Sequence, residues 1–135
     1  MCLFSKNGKT LASKGFDEVK NETFYRVLGG GVEFQEKSED AIRREIQEEL
    51  KCEVENLELV TVVDSIFTYL DKRYHDVVFL YRGDLSNKDL YAQEKISIIE
   101  PYAIYEAEWI PIEDIVSGKK ILYPSGVDFK KVFSQ

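Results

Sequence analysis

Apolar residues recur at steps of three to four residues in one stretch of the chain, between Ser38 and Lys51. This spacing is typical of a helix that buries one side. Ser38 stands where a residue can cap the first turn. We therefore predict a helix over 38–51, whose apolar positions are Ala41, Ile42, Ile46 and Leu50.

Most of the other apolar stretches alternate, or are rich in β-branched and aromatic residues, which favours strands. The predicted strands cover 2–5, 10–13, 22–28, 32–34, 54–70, 74–85 and 103–110. Short helices are expected at 112–117 and 127–133, while 15–21 and 86–99 are predicted loops, the second with fragments of strand. This order predicts an α+β domain with a mixed sheet and helices on both faces. Because no repeat or linker interrupts it, we expect one domain over 1–135.

Three carboxylates border the apolar side of the predicted helix. At ~100° per residue, Glu45, Glu48 and Glu49 share an arc roughly 100° wide. Like charges three or four residues apart destabilise a helix by roughly 0.2–0.5 kcal/mol per pair, so the pattern indicates a functional site. Clustered carboxylate oxygens suit a hard divalent cation such as Mg²⁺ or Mn²⁺.

Three consecutive glycines, Gly29, Gly30 and Gly31, precede this helix. Glycine permits a positive φ and lets the backbone come close to a ligand or a metal ion. A flexible turn is the alternative interpretation of the same three residues.

The residues from Gly30 to Cys52 resemble the Nudix box of hydrolases that act on linked nucleoside diphosphates. Gly30 is followed after five residues by Glu36, and after seven more by Arg44-Glu45-Ile46-x-Glu48-Glu49. The family has a glycine where this chain has Lys51, which concerns the end of the helix and not the charged positions. The resemblance implies an α/β/α sandwich with a mixed β-sheet between helices.

The resemblance also implies roles for the charged residues. Glu45 and Glu49 would be direct ligands of Mg²⁺ or Mn²⁺, Glu48 a shared or water-mediated ligand, and the Gly29 carbonyl would complete the site. Glu36 and Arg44 would hold the loop and orient Glu45. The catalytic set implied in this way is Glu36, Arg44, Glu45, Glu48 and Glu49.

Other candidates come from single residues. Arg26 precedes the glycines and could meet a phosphate, or form a salt bridge on the sheet surface; Gly30 and Gly31 would contact the substrate. Glu94 is the candidate for a general base or an extra metal ligand, because family members supply such a group from varying downstream positions. His75, the one histidine, is assigned to ordinary packing or hydrogen bonding with catalysis as the alternative.

Specificity is expected to come from segments outside the helix, here 14–21 and 86–100. Phe24 and Tyr25 point to opposite faces of a strand, so that one could stack on a base while the other joins the core. Core packing is the simpler expectation for each of them.

Composition narrows the class of partner. The chain has 135 residues, 44% of them hydrophobic, and a formal net charge of −7, which argues against broad binding to nucleic-acid backbones. Two cysteines are expected to be reduced and not paired. The first residues lack the apolar run of a signal peptide, and no stretch reaches the length of a membrane span, so we expect a cytoplasmic protein. A homodimer is compatible with the sequence.

Three functions compete. The first is a metal-dependent hydrolase that cleaves a nucleoside diphosphate linked to a moiety X into a nucleoside monophosphate and phospho-X. The second is a catalytically inactive, Nudix-like nucleotide-binding or regulatory module. The third is a structural or cation-binding domain with an acidic helix. The intact Arg-Glu-x-x-Glu-Glu set favours the first, and the sequence leaves the identity of X open.

Overall fold

The computed structural model describes residues 1–135 and contains nine strands, three α-helices and one 3₁₀ helix, Lys88–Ala92. The helices are α1 (Ser38–Leu50), α2 (Ile112–Val116) and α3 (Phe129–Phe133). The strands are β1 (Cys2–Leu3), β2 (Ser5–Lys6), β3 (Lys9–Asp17), β4 (Glu22–Val27), β5 (Val54–Tyr69), β6 (Lys72–Leu85), β7 (Lys95–Glu100), β8 (Ala103–Pro111) and β9 (Leu122–Tyr123).

The strands form two mixed sheets. One has the order β1-β6-β5, and the other has the order β7-β8-β3-β4-β9 with β2 paired to β3. The β1/β6 and β4/β9 pairs are parallel, and the other pairs are antiparallel. The predicted α+β class with mixed strand directions is confirmed.

Two buried clusters hold the sheets and helices together. The first packs the apolar side of α1, with Ile42 and Ile46, against residues of both sheets such as Leu11 and Tyr81. The second includes Ile115 of α2 and Phe129 of α3. Helices therefore lie on two sides of the strands, and the long helix α1 is held by its apolar side, which leaves its acidic edge free to face a cavity.

Four local predictions differ from the structure. Lys37, and not Ser38, occupies the N-cap position, and the Ser38 hydroxyl lies 2.7 Å from the Tyr81 hydroxyl instead of capping a backbone N–H. Residues 32–34 form a loop and not a strand. Residues 15–17 belong to β3 and not to a loop, because they pair with β4 from Gly15 to Asp17. The last helix begins at Phe129, two residues later than predicted.

The ambiguous segment 86–99 contains the 3₁₀ helix and most of β7. Within β7, Ile96 and Ile98 are buried while Ser97 and Ile99 are exposed, which is the alternation of a strand with one buried face. Glu100 continues the buried face by the same two-residue step. None of the three helices has the length and apolar character needed to cross a lipid bilayer.

Candidate active site

A cavity of about 620 Å³ opens between the two sheets, beside the acidic edge of α1. Glu45 and Glu49 of α1, Gly29 and Gly30 before it, and Glu100 at the end of β7 all line it. We call this group the acidic end of the cavity. The predicted Nudix-box carboxylates Glu45 and Glu49 therefore face one open volume together.

Glu49 is the most buried of these carboxylates, with 8% of its surface exposed. Burial raises the pKa of the Glu49 carboxyl from its ordinary 4.5 to about 8, and the nearby carboxylates of Glu45 and Glu100 add to the increase. Arg26 acts in the opposite direction. A cation entering the acidic end would relieve this repulsion.

Two of the three glycines before α1 are required by close packing. A Cβ atom on Gly30 would lie 2.4 Å from the Cδ and Oε1 atoms of Glu45, so a side chain there would collide with the carboxylate. Gly29 has a φ of +141°, and a Cβ there would lie 2.7 Å from the Cα of Met1. The absence of a side chain at Gly30 therefore leaves room for the Glu45 carboxylate beside the backbone. This close approach gives the glycine a specific role that a flexible turn would not require.

Arg44 connects the loop to the helix. Its Nε donates to Glu36 at 2.9 Å, and a terminal nitrogen donates to the second Glu36 oxygen at 3.0 Å. The same guanidinium donates to the Gly31 carbonyl and to Glu45, each at 3.0 Å. These bonds hold the pKa of the Glu36 carboxyl below its ordinary value and raise that of Arg44. Arg44 thus links the Glu36 loop, the Gly31 carbonyl and the Glu45 carboxylate through one guanidinium.

Glu48 lies differently from its two neighbours. Its side chain is exposed, does not line the cavity, and accepts a hydrogen bond from Arg44 at 3.4 Å. No three His, Cys, Asp or Glu side chains gather around one point as a preassembled metal site. The donor chemistry at the acidic end nevertheless fits Mg²⁺ or Mn²⁺, because three carboxylates face one cavity and Gly30 clears space for one of them.

The structure separates Glu94 from the acidic end. Glu94 lines a second pocket, formed with Lys6, Tyr91 and Trp109. Glu100 instead reaches the cavity that contains Glu45 and Glu49. His75 is exposed on the outer face of β6, 2.9 Å from Asp64, and does not line the cavity.

Arg26 lines the cavity and makes no ion pair, so it is available to an anionic ligand. Its neighbour on the same face of β4, Phe24, also lines the cavity, while Tyr25 on the opposite face is buried in the core. Both segments predicted to set specificity contribute to the cavity wall. Segment 14–21 contributes Lys14 and Asp17, and segment 86–100 contributes Glu100.

Sequence reasoning missed Glu100 and most of the cavity wall that is distant from α1. For Glu100 a signal existed, because the steps Ile96, Ile98 and Glu100 place it on the buried face of a strand. The missed wall residues come from three strands, and no local motif marks them; they are Phe67, Tyr69, Tyr74, Asp76 and Tyr123.

Comparison with known proteins agrees with this geometry. Residues 1–131 match the family described as the NUDIX domain. The chain is 36% identical over 96 residues to the nucleoside triphosphatase NudI of Escherichia coli O17:K52:H18 (strain UMN026 / ExPEC), and 34% identical over 96 residues to that of Escherichia coli (strain K12 / DH10B). Each alignment covers 68% of this chain but only 64% of the relative.

A solved structure shows the same fold. The solution structure of the E. coli ORF135 protein superposes with a TM-score of 0.54 and 16% identity, covering 98% of this chain and 84% of that one. The predicted sandwich fold and the predicted membership of the Nudix family are confirmed. The chain, with its Nudix box folded beside an open cavity, belongs to the Nudix domain family.

Proposed function

We propose that residues 1–135 act as one hydrolase domain that cleaves the diphosphate linkage of a nucleoside diphosphate linked to X, giving a nucleoside monophosphate and phospho-X. The main support for this proposal is that Glu45 and Glu49 both line the acidic end of a cavity large enough for a nucleotide. The curated relatives are named nucleoside triphosphatases. A nucleoside triphosphate is the case in which X is a phosphate group, and it is therefore the first substrate to test.

A diphosphate resists hydrolysis because its negative oxygens repel a nucleophile. In this acidic chain, Arg26 is the one arginine that faces the cavity, so it is the residue placed to pair with a phosphate oxygen. We assign the positions closest to the diphosphate to Glu45 and Glu49, with Gly30 and Gly31 allowing the substrate near the backbone. A divalent cation, Mg²⁺ or Mn²⁺, held by these carboxylates and the Gly29 carbonyl would offset the charge of the diphosphate and polarise it.

Arg44 and Glu36 act in this proposal as positioning residues. The two-point contact between them anchors the loop, and the bond from Arg44 to Glu45 sets the direction of that carboxylate. Glu48 lies outside the cavity wall, so we give it the water-mediated or shared role and not a direct one.

Glu100 is the residue to which we assign the proton-accepting or additional ligand role first given to Glu94. It lies close enough to Glu49 to raise that carboxyl's pKa, and it lines the same cavity. Glu94 lies in a separate pocket and serves as the comparison residue.

The test is a hydrolysis assay over a panel of nucleoside triphosphates and nucleotide sugars, with Mg²⁺, with Mn²⁺ and with excess chelator. We expect a nucleoside monophosphate among the products, full loss of activity with chelator, and a stronger loss in Glu100→Gln than in Glu94→Gln. Nucleotide binding without turnover in any metal would favour the inactive binding module instead. Full activity in chelator would contradict the metal dependence.

A further inference from the structure

The end of the cavity opposite the acidic end is lined by aromatic rings. Phe24 packs edge-to-face against Tyr69 and against Tyr123, with ring centroids 5.7 Å and 5.5 Å away. Phe67 stacks on Tyr74 with centroids 5.1 Å apart and an interplanar angle of 10°. We call these five residues the aromatic compartment. All of them line the same cavity as Glu45 and Glu49.

The inner face of β4 connects the two ends. Phe24, Arg26 and Leu28 follow one another on that face at two-residue steps and lead to Gly29 and the acidic end. Two residues of strand span roughly 7 Å, so an aromatic site, a cation and the carboxylates lie in line. This order matches a nucleotide laid along β4, with its base at Phe24 and its phosphates between Arg26 and Glu49.

The position of Phe24 depends on a glycine across the sheet. Gly15 pairs with Phe24 in the register of β3 and β4, and a Cβ on Gly15 would lie 2.4 Å from the Phe24 ring. The ring therefore rests directly on the Gly15 backbone, in space that any side chain at residue 15 would occupy.

The cavity wall outside the acidic end also carries carboxylates, those of Asp17, Glu22 and Asp76. Asp76 is opposite Ser65 in the β5/β6 register and shares the inner face of β6 with Tyr74 and Val78. It lines the cavity, and no hydrogen bond or ion pair in the structure involves its carboxylate. Asp64, by contrast, lies on the outer face and pairs with His75 at 2.9 Å. An unpaired acceptor beside stacked rings is suited to a planar ligand that carries N–H donors.

We propose that the aromatic compartment binds the base of the substrate nucleotide and that Asp76 accepts a hydrogen bond from an exocyclic amino group of that base. The proposal rests on the proposed function for the phosphate end of the ligand. Cytosine presents an amino group where uracil presents a carbonyl oxygen, and adenine differs from hypoxanthine in the same way. A carboxylate attracts the first member of each pair and repels the second, so Asp76 selects amino-bearing bases.

The kinetic test compares CTP with UTP and ATP with ITP, for the wild type, Asp76→Asn and Asp64→Asn. We expect the wild type to favour CTP over UTP and ATP over ITP by about tenfold or more in kcat/KM. Asn can both accept and donate, so Asp76→Asn should lose most of this preference, mainly through KM, while Asp64→Asn keeps it. No preference in the wild type, or an equal change in both variants, would overturn the proposal.

A binding test separates this inference from the proposed function. Calorimetry with CMP and UMP in the absence of turnover should show tighter binding of CMP to the wild type and a reduced difference in Asp76→Asn. Selective CMP binding without any triphosphate hydrolysis would support the base site and contradict the hydrolase. Hydrolysis of CTP and UTP at equal efficiency would support the hydrolase and overturn the base site.

Discussion

The acidic end and the aromatic compartment lie in one cavity but are built in different ways. The acidic end comes mainly from one contiguous segment, in which Gly29 and Gly30 meet Glu45 and Glu49 over a single loop and helix. The aromatic compartment takes its residues from β4, β5, β6 and β9. The residues proposed for the reaction thus share one helix and the loop before it, while those proposed for base binding are distributed over both sheets.

This difference predicts separable effects on catalysis and on binding. Substitutions at the acidic end should lower kcat, because the proposed function places the diphosphate there. Substitutions in the aromatic compartment should raise KM, because the proposed base site holds a part of the substrate that does not react.

The largest effect is expected at the acidic end. Glu45→Gln and Glu49→Gln should each lower kcat by about 10²-fold or more, because each removes a charge while keeping the shape of the side chain. Steady-state kinetics on the best substrate of the panel measures this, and Glu53→Gln, an exposed residue beyond the helix, is the matched control. A comparable loss at Glu53 would show that overall charge, and not the acidic end, governs the rate.

The buried carboxylate should also make metal-free stability depend on pH. The pKa of Glu49 is raised from 4.5 to about 8, so its contribution to stability is fully present below pH 4.5 and is lost as the pH rises through 8. In chelator, the wild type should lose on the order of 4 kcal/mol relative to Glu49→Gln between pH 5 and pH 9, since each pKa unit corresponds to ~1.4 kcal/mol. Urea denaturation at both pH values measures the difference. Parallel pH profiles for the two proteins would contradict the assignment.

At the aromatic end, Phe24→Leu should raise KM about tenfold with kcat nearly unchanged, because base stacking on a ring contributes ~1–3 kcal/mol. Phe16→Leu is the control, since Phe16 lies beside Gly15 on β3 but is 48% exposed and does not line the cavity. The comparison between the two ends would fail if Phe24→Leu lowered kcat as strongly as the glutamate variants.

The smallest effect concerns the end of α1. Lys51 has φ 56° and ψ 36°, the left-handed conformation in which the family has a glycine, and its N–H donates to the Gln47 carbonyl. Lys51→Gly should therefore stabilise the protein by about 0.5–1 kcal/mol without changing kcat. Gln47→Gly, inside the helix, should destabilise by a similar amount, and thermal unfolding of the two variants measures the contrast. Destabilisation by Lys51→Gly would show that the lysine side chain contributes more than its backbone strain costs.

The sequence predicted one end of the cavity well and the other poorly, for a physical reason. Helical spacing brings Glu45 and Glu49 together through local geometry alone. Residue 30 must be a glycine because the short loop brings its backbone against the Glu45 carboxylate. Asp76 and Tyr123 meet only through the pairing of distant strands, which no local pattern specifies. Ser38 was misassigned because Tyr81, 43 residues away, provides a hydroxyl partner that a local capping rule does not include.

The position of Glu100 is predictable from the sequence once β7 is recognised as a strand. The polar residues of 86–99 predict a loop, and a loop gives no strand face that would distinguish Glu100 from Glu94. Once β7 is recognised from buried Ile96 and Ile98, the two-residue period selects Glu100. Prediction of the fold class requires only the order of helices and strands along the chain. Prediction of the site residues also requires the register of individual strands.

Mn²⁺-dependent thermal unfolding tests, without knowledge of the substrate, the proposal that Glu45 and Glu49 hold a divalent cation. At about 100 times Kd, Mn²⁺ should stabilise the wild type by roughly 2.7 kcal/mol, a shift of several degrees in Tm. The Glu45→Gln/Glu49→Gln double variant should show little or no shift, and the wild-type shift should be larger at pH 8 than at pH 5, where protons compete for Glu49. An equal shift in the double variant would show that the cation binds elsewhere and that Glu45 and Glu49 are not its ligands.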